Sequence, residues 1–161
     1  MKFKQFQFLK NQALQKLREL DGTDTVVSVP QSIEETLQED VLTLAYLGDA
    51  VYSLYIRKRV TAMGINRVQV LHTLVTAFIN AKAQAAALQV IEDDLTEEEA
   101  SIIRRGRNAN VNVPKSASVQ EYRWSTAFES LLGFLHVTGQ DQRLQDLMAQ
   151  AYSYTLEHIK V

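Results

Sequence analysis

Apolar residues recur at three- and four-residue spacing along most of the chain, and no stretch alternates apolar and polar residues over the length of a strand. From Leu44 to Val60, the residues Leu44, Leu47, Val51, Leu54 and Tyr55 follow the rhythm of one buried helical face. A second strongly apolar helix is predicted through Trp124 to Val137, with Ser118 and Glu121 at capping-box spacing before it and Gly139 ending it. Asn66 is placed to cap one long helix reaching Ile91, with Val70, Leu71, Leu74, Val75, Phe78 and Ile79 as its buried stripe. Thr96 and Glu99 open another, with its acids in the first turns and Arg104 and Arg105 at its end, both favourable to the helix dipole. Ser32 and Glu35 start a short helix, and the last segment from Asp141 offers Leu144, Leu147, Met148, Ala151 and Tyr154 to a core. The expected fold is all-α.

The first thirty residues differ from the rest. Lys2, Lys4, Lys10, Lys16 and Arg18 are interspersed with Phe3, Phe6, Phe8, Leu9, Leu14, Leu17 and Leu20, with Glu19 as the only acid, which predicts a basic amphipathic helix. Such a helix has two readings, a contact with RNA or a partner and a merely solvated face. Turn residues around a short β-branched run from Asp21 to Pro30 read as a linker. The expected organisation is an extension and linker over residues 1–30 and one domain over residues 31–161.

Composition narrows the function classes. With 161 residues, 46% hydrophobic and 22% charged, the chain suits one full-sized globular domain. It has no cysteine and only His72, His136 and His158, which excludes disulfides and thiolate catalysis and disfavours zinc. No run of about 20 apolar residues exists to span a membrane, and no secretory signal pattern opens the chain, so a cytoplasmic location is expected. The net charge of −2 is neutral on nucleic acid, since local charge does the binding.

The candidate chemistry lies in the two apolar helices. Asp49 is the only side chain charged at neutral pH between Asp40 and Arg57, and Glu129 is similarly isolated if His136 is neutral. Burying an unpaired carboxylate costs several kcal/mol, of the order given for buried ions, so something must offset each. Gly48 precedes Asp49 and Gly133 lies one turn after Glu129. A glycine inside a helix usually marks a close approach, and helices crossing at these two would bring the acids together. Paired carboxylates suit a hard divalent cation such as Mg²⁺. The alternative is that each acid pairs with an arginine or lysine.

Beyond the helix dipole, the run Gly106, Arg107, Asn108, Asn110, Asn112 and Lys115 reads as a basic, amide-rich loop. Such a loop can donate to phosphate oxygens and 2′-hydroxyls of duplex RNA, or simply be solvated. Tyr122, Arg123 and Trp124, at the start of the Glu129 helix, could face RNA or a partner chain. Lys82, isolated in an alanine-rich helix, either reaches a phosphate or an acid, or snorkels to solvent. His72 among leucines reads as a core or interface residue.

LAYLGDAVY resembles the signature helix of the ribonuclease III catalytic domain, and STAFESLLGFL resembles that domain's second acidic helix. RRGRNANVNVPKSASVQEYRWSTAFESLLGFL and INAKAQA are similar, more narrowly, to the Mini-ribonuclease III branch, which lacks a separate double-stranded-RNA-binding domain. The likeness covers roughly residues 40–155. It implies a helical homodimer with a valley between subunits and Mg²⁺-dependent cleavage of both strands of duplex RNA. It also implies maturation of a ribosomal RNA precursor, particularly that of the large subunit (23S). Asp49 and Glu129 match the family's metal-binding acids. Arg104, Arg105, Arg107, Asn108 and Lys115, together with Arg123 and Lys82, would supply RNA contacts. The longer enzymes carry two further acids where this chain has Ala45 and Thr126, a departure shared with the Mini branch.

Two other readings compete with the nuclease. A ribonuclease III-like RNA-binding or ribosome-associated protein would bind RNA without cutting it. A helical dimerisation module would use Asp49 and Glu129 in inter-subunit salt bridges.

Overall fold

A computed structural model describes residues 3–20, 29–110 and 118–159, and its described residues form eight α-helices and a 3-10 turn with no strand. The chain divides into two units, Met1–Pro30 and Gln31–Val161. The first contains α1 (Phe3–Leu20), which buries none of its residues and exposes Phe3, Phe6, Phe8, Leu9, Leu14, Leu17 and Leu20. Most of the linker expected before Pro30 lies outside the described residues.

The second unit opens with the short α2 (Ile33–Thr36), where Ser32 caps as expected by accepting from the backbone N–H of Glu35 at 3.2 Å. α3 (Val41–Thr61) carries the Asp49 motif and stops before Gly64, which takes a left-handed conformation at φ 72°. Its buried face is rotated from the expected one: Val41, Leu44, Ala45, Gly48, Tyr52, Tyr55, Ile56 and Val60 are inside, while Leu47 and Val51 are half-buried and Leu54 is exposed. The turn follows from Gly48, whose bare backbone must face another helix.

The long helix expected from Asn66 to Ile91 is two helices, α4 (Val68–Ile79) and α5 (Ala81–Ile91), bent by 46° at Asn80. Asn80 has an extended backbone and serves both ends. Its Oδ1 accepts from the N–H of Ala83 at 3.0 Å, and its Nδ2 donates to the carbonyl of Thr76 at 2.9 Å. Arg67, not Asn66, occupies the cap position of α4 and makes no side-chain cap bond. Of the stripe expected on α4 only Val75 and Phe78 are buried; Leu71, Leu74 and Ile79 are half-buried, and Val70 is exposed, as is His72.

α6 (Glu97–Asn108) follows the turn Glu92–Asp94, and α7 (Val119–Val137) and α8 (Asp141–His158) complete the unit. Both expected capping boxes form, at Thr96 with Glu99 and at Ser118 with Glu121. α7 is the centre of the bundle, packed against α3, α5, α6 and α8. Phe128, Leu131, Leu132, Phe134 and Leu135 are all shut off from solvent, as a helix apolar on every side requires. Tyr52 of α3 meets Phe128 edge to face at 5.0 Å. Gly139, at φ 68°, follows α7 as expected. On α8, Leu144, Leu147, Met148 and Ala151 are buried as anticipated, with Thr155 rather than Tyr154 completing the face. No single described helix is long and apolar enough to cross a membrane.

Candidate active site

α3 and α7 touch backbone to backbone where each carries a glycine. A Cβ placed on Gly48 would overlap the carbonyl oxygen of Glu129 and lie 2.8 Å from the nitrogen of Gly133. One placed on Gly133 would overlap the carbonyl oxygen of Leu44. Asp49 and Glu129 both flank this crossing, one per helix, so a contact set by glycine holds two acids together.

Their electrostatics record that proximity. The Glu129 carboxyl is pushed up to about 8, first by burial and then by the negative charge of Asp49. Gln84 of α5 opposes part of the shift through its side chain. Neither acid has an ion-pair partner among the described residues, so the arginine or lysine pairing allowed by the sequence does not occur there. The positions that hold acids in the longer enzymes supply no ligand. Ala45 is buried, and Thr126 donates its hydroxyl to the carbonyl of Tyr122 at 2.9 Å. No group of three or more His, Asp or Glu side chains stands ready for a metal among the described residues. The donor set at the crossing is two carboxylates.

The basic residues separate into groups. Arg107, Asn108 and Arg123 line one groove with Val119, Gln120 and Trp124, of about 350 Å³, at the start of α7. Arg107 lies 4.8 Å from the centre of the Trp124 ring and 3.4 Å from Glu92. Arg104 and Arg123 are exposed and pair with no acid among the described residues. The loop expected from Gly106 begins later than anticipated, because α6 continues through Asn108 and buries Gly106 against Ala127 of α7. Lys115 lies outside the described residues.

Arg105 and Lys82 stand apart from this groove. Arg105 is turned inward, donating to the carbonyls of Leu37, at 2.8 Å, and Glu39, which ties α6 to the segment leading into α3. Lys82 is exposed beside a cavity of about 440 Å³ lined by Asn80, Ala83, Tyr154 and His158. Its charge acts on Glu121, whose carboxyl is held below the usual range mainly by the backbone and hydroxyl of Ser118. Glu121 is eight residues from Glu129, roughly 12 Å along a helix at 1.5 Å per residue.

Two arrangements had no role in the reading of the sequence. Glu99, read as a cap, is also buried and accepts from Arg143 Nε at 2.8 Å, locking α6 to α8. Gln84 is buried next to Glu129. Its signal was a polar residue on the apolar stripe of an alanine-rich helix, at helical spacing from Ala87, Leu88 and Ile91.

The sequence profile of the ribonuclease III domain matches residues 42–140, which include both acids and the glycine crossing. The chain belongs to the ribonuclease III family. It is thus an endoribonuclease, similar to the Mini-ribonuclease 3 of Thermoanaerobacter sp., with 46% identity over 116 residues covering 71% of this chain and 82% of that one. The Mini-ribonuclease 3 of Enterococcus faecalis is 46% identical over 110 residues, covering 66% of this chain and 83% of the relative. The crystal structure of a Fusobacterium nucleatum protein superposes with a TM-score of 0.67 at 32% identity, over 72% of this chain and 93% of that protein. Ribonuclease III membership implies a divalent metal, and the donor chemistry at the crossing fits one. Burial first and the charge of Asp49 second raise the pKa of Glu129, and a hard cation beside these oxygen ligands would offset both.

Proposed function

We propose that this chain is a Mg²⁺-dependent endonuclease that hydrolyses both strands of duplex RNA, with Asp49 and Glu129 as its metal ligands. The observation that carries the proposal is the convergence of these two otherwise unpaired acids at the crossing of α3 and α7. Asp49 and Glu129 would hold a divalent cation, which would supply activation of water and stabilisation of the departing 3′-oxygen. α3 and α7 pack backbone to backbone at the crossing, which places the helices that carry Asp49 and Glu129 before any ligand binds. No side chain forms a covalent intermediate.

Arg104, Arg107, Asn108 and Arg123 grip phosphates and 2′-hydroxyls along the duplex, and Lys115 belongs to the same basic run. Arg105 acts through the fold, because its guanidinium is engaged by the carbonyls of Leu37 and Glu39. Lys82, whose charge acts on Glu121, contacts RNA at the α7 N-terminus rather than at the acids. The substrate implied by the resemblance to the Mini branch is the precursor of the large-subunit (23S) ribosomal RNA.

The working form is a homodimer of the 31–161 domain, with residues 1–30 as an appended extension. Tyr46, Ala50 and Leu54 lie at four-residue spacing on one exposed stripe of α3, next to Asp49, with Tyr46 84% and Leu54 54% exposed. A large apolar stripe beside an active site suits a second copy of the chain.

The test is cleavage of a long double-stranded RNA in Mg²⁺, read on a denaturing gel together with RNA binding in chelator. Wild type cuts, and Asp49→Asn binds without cutting. Arg104→Ala and Arg123→Ala each weaken binding across sequences and lower the salt slope by about one. RNA bound but left intact by wild type would replace this reading with a non-catalytic RNA-binding protein.

A further inference from the structure

Gln84 is 1% exposed, and its Nε2 is buried with no hydrogen-bond partner among the described residues. An amide donor buried without a partner is destabilising, so a leucine or methionine of similar size would serve packing better. The side chain is not placed at random. Asn80 fixes the first turn of α5 by capping Ala83 and by accepting at its carbonyl from the N–H of Gln84 at 3.0 Å. α5 packs along α7, and there the Gln84 amide is close enough to Glu129 to favour its ionised form, although Nε2 falls short of a well-formed bond. An unpartnered buried donor and an acid without an ion pair thus lie on two helices packed together at the proposed metal site.

We propose that Gln84 is a positioning residue for the metal site, donating from Nε2 to one Glu129 oxygen and so presenting the other toward Asp49 and a bound cation. The inference rests on the reading of Glu129 as a ligand. Groups that orient a ligand carboxylate typically change metal affinity by about 10- to 100-fold when removed. The role explains why α5 spends a position of its buried stripe on an amide, and it gives the two-carboxylate site a third, neutral contributor. Lys82, two residues earlier, does not share the role, since its charge acts at Glu121.

The test measures Mn²⁺ binding to the metal-free full chain by the loss of the free-ion electron paramagnetic resonance signal. It compares wild type, Gln84→Leu, Gln84→Met and Glu129→Gln, with thermal unfolding of each in chelator. Both Gln84 variants are expected to weaken Mn²⁺ binding by about tenfold or more, while unfolding in chelator at the wild-type temperature or above. Two replacement shapes separate the loss of the amide from a packing fault peculiar to one of them. Cleavage by both variants should recover as Mg²⁺ is raised, because affinity and not chemistry has been lost. Mn²⁺ affinity within twofold of wild type in either variant that folds would overturn the proposal, as would a loss of cleavage that excess Mg²⁺ does not restore. Unchanged Mn²⁺ binding by Glu129→Gln would overturn the ligand reading itself, and this inference with it.

Discussion

Glu129 binds its proton more tightly in the folded chain than in the unfolded one, because burial and Asp49 raise its carboxyl from 4.5 to about 8. For an acid raised in this way, the stabilising contribution is fully present below about 4.5 and is lost as pH rises through about 8. The metal-free chain should therefore lose stability across that window, by at most a few kcal/mol at 1.36 kcal/mol per unit. Urea unfolding in chelator at pH 5, 6.5 and 8 measures the fall, and Glu129→Gln should flatten it while abolishing cleavage. A divalent metal should reverse the trend, adding more stability at pH 8 than at pH 6, where it competes with the proton. An equal fall in Glu129→Gln would assign the pH dependence to other groups. Both acids stand out in the sequence as lone charges in apolar helices, but the burial that isolation suggested applies only in part, since Glu129 is half-buried and Asp49 is exposed. Gln84 carried a weaker signal, because one amide in an alanine-rich run looks like a surface residue until the buried face of α5 is known.

At the level of elements, the glycines decide where the acids stand. Gly48 and Gly133 were readable as points of close approach, and α3 and α7 do meet there. The buried face of α3 was harder to place because apolar residues occur on several of its sides, and only the contact at Gly48 selects Tyr52 for the core and leaves Leu54 outside. The break at Asn80 was hidden for a related reason. Apolar spacing runs unbroken across it, and the bend rests on one amide that satisfies the end of α4 and the start of α5. Gly133→Ala follows directly from the crossing. Its methyl group would overlap the backbone of Leu44, which no rotamer change can relieve, so α3 and α7 must separate. A loss of about 3 kcal/mol is expected in urea unfolding, at the upper end for overpacking, together with weakened Mn²⁺ binding as Asp49 and Glu129 move apart. Wild-type stability and affinity in Gly133→Ala would mean that the helices adjust without disturbing the site.

The whole molecule raises the question of what covers its exposed apolar surface. On α3 that surface is the stripe through Tyr46 and Leu54, and on α4 it includes Val68 and Val70, 76% and 45% exposed, while the helix buries only Val75 and Phe78. Neither pattern could be recognised in the sequence, since a residue buried against a second copy has the same spacing as one buried in its own core. A dimer that covers Tyr46 would place two copies of the proposed Asp49–Glu129 site about a common axis, an arrangement suited to the proposed cutting of both strands of a duplex. The α3 stripe lies wholly within the unit Gln31–Val161, and α1 belongs to the other unit. Light scattering on the full chain, on residues 31–161 and on Tyr46→Asp tests both statements together. The full chain and the truncated one should be dimers unfolding within about 2 °C of each other at equal concentration, since the core and the α3 stripe both lie within residues 31–161. Tyr46→Asp should be monomeric, because it would bury an unpaired carboxylate from each subunit in an apolar contact. A monomeric truncated chain would give residues 1–30 the dimer contact, and a dimeric Tyr46→Asp would move the interface away from α3.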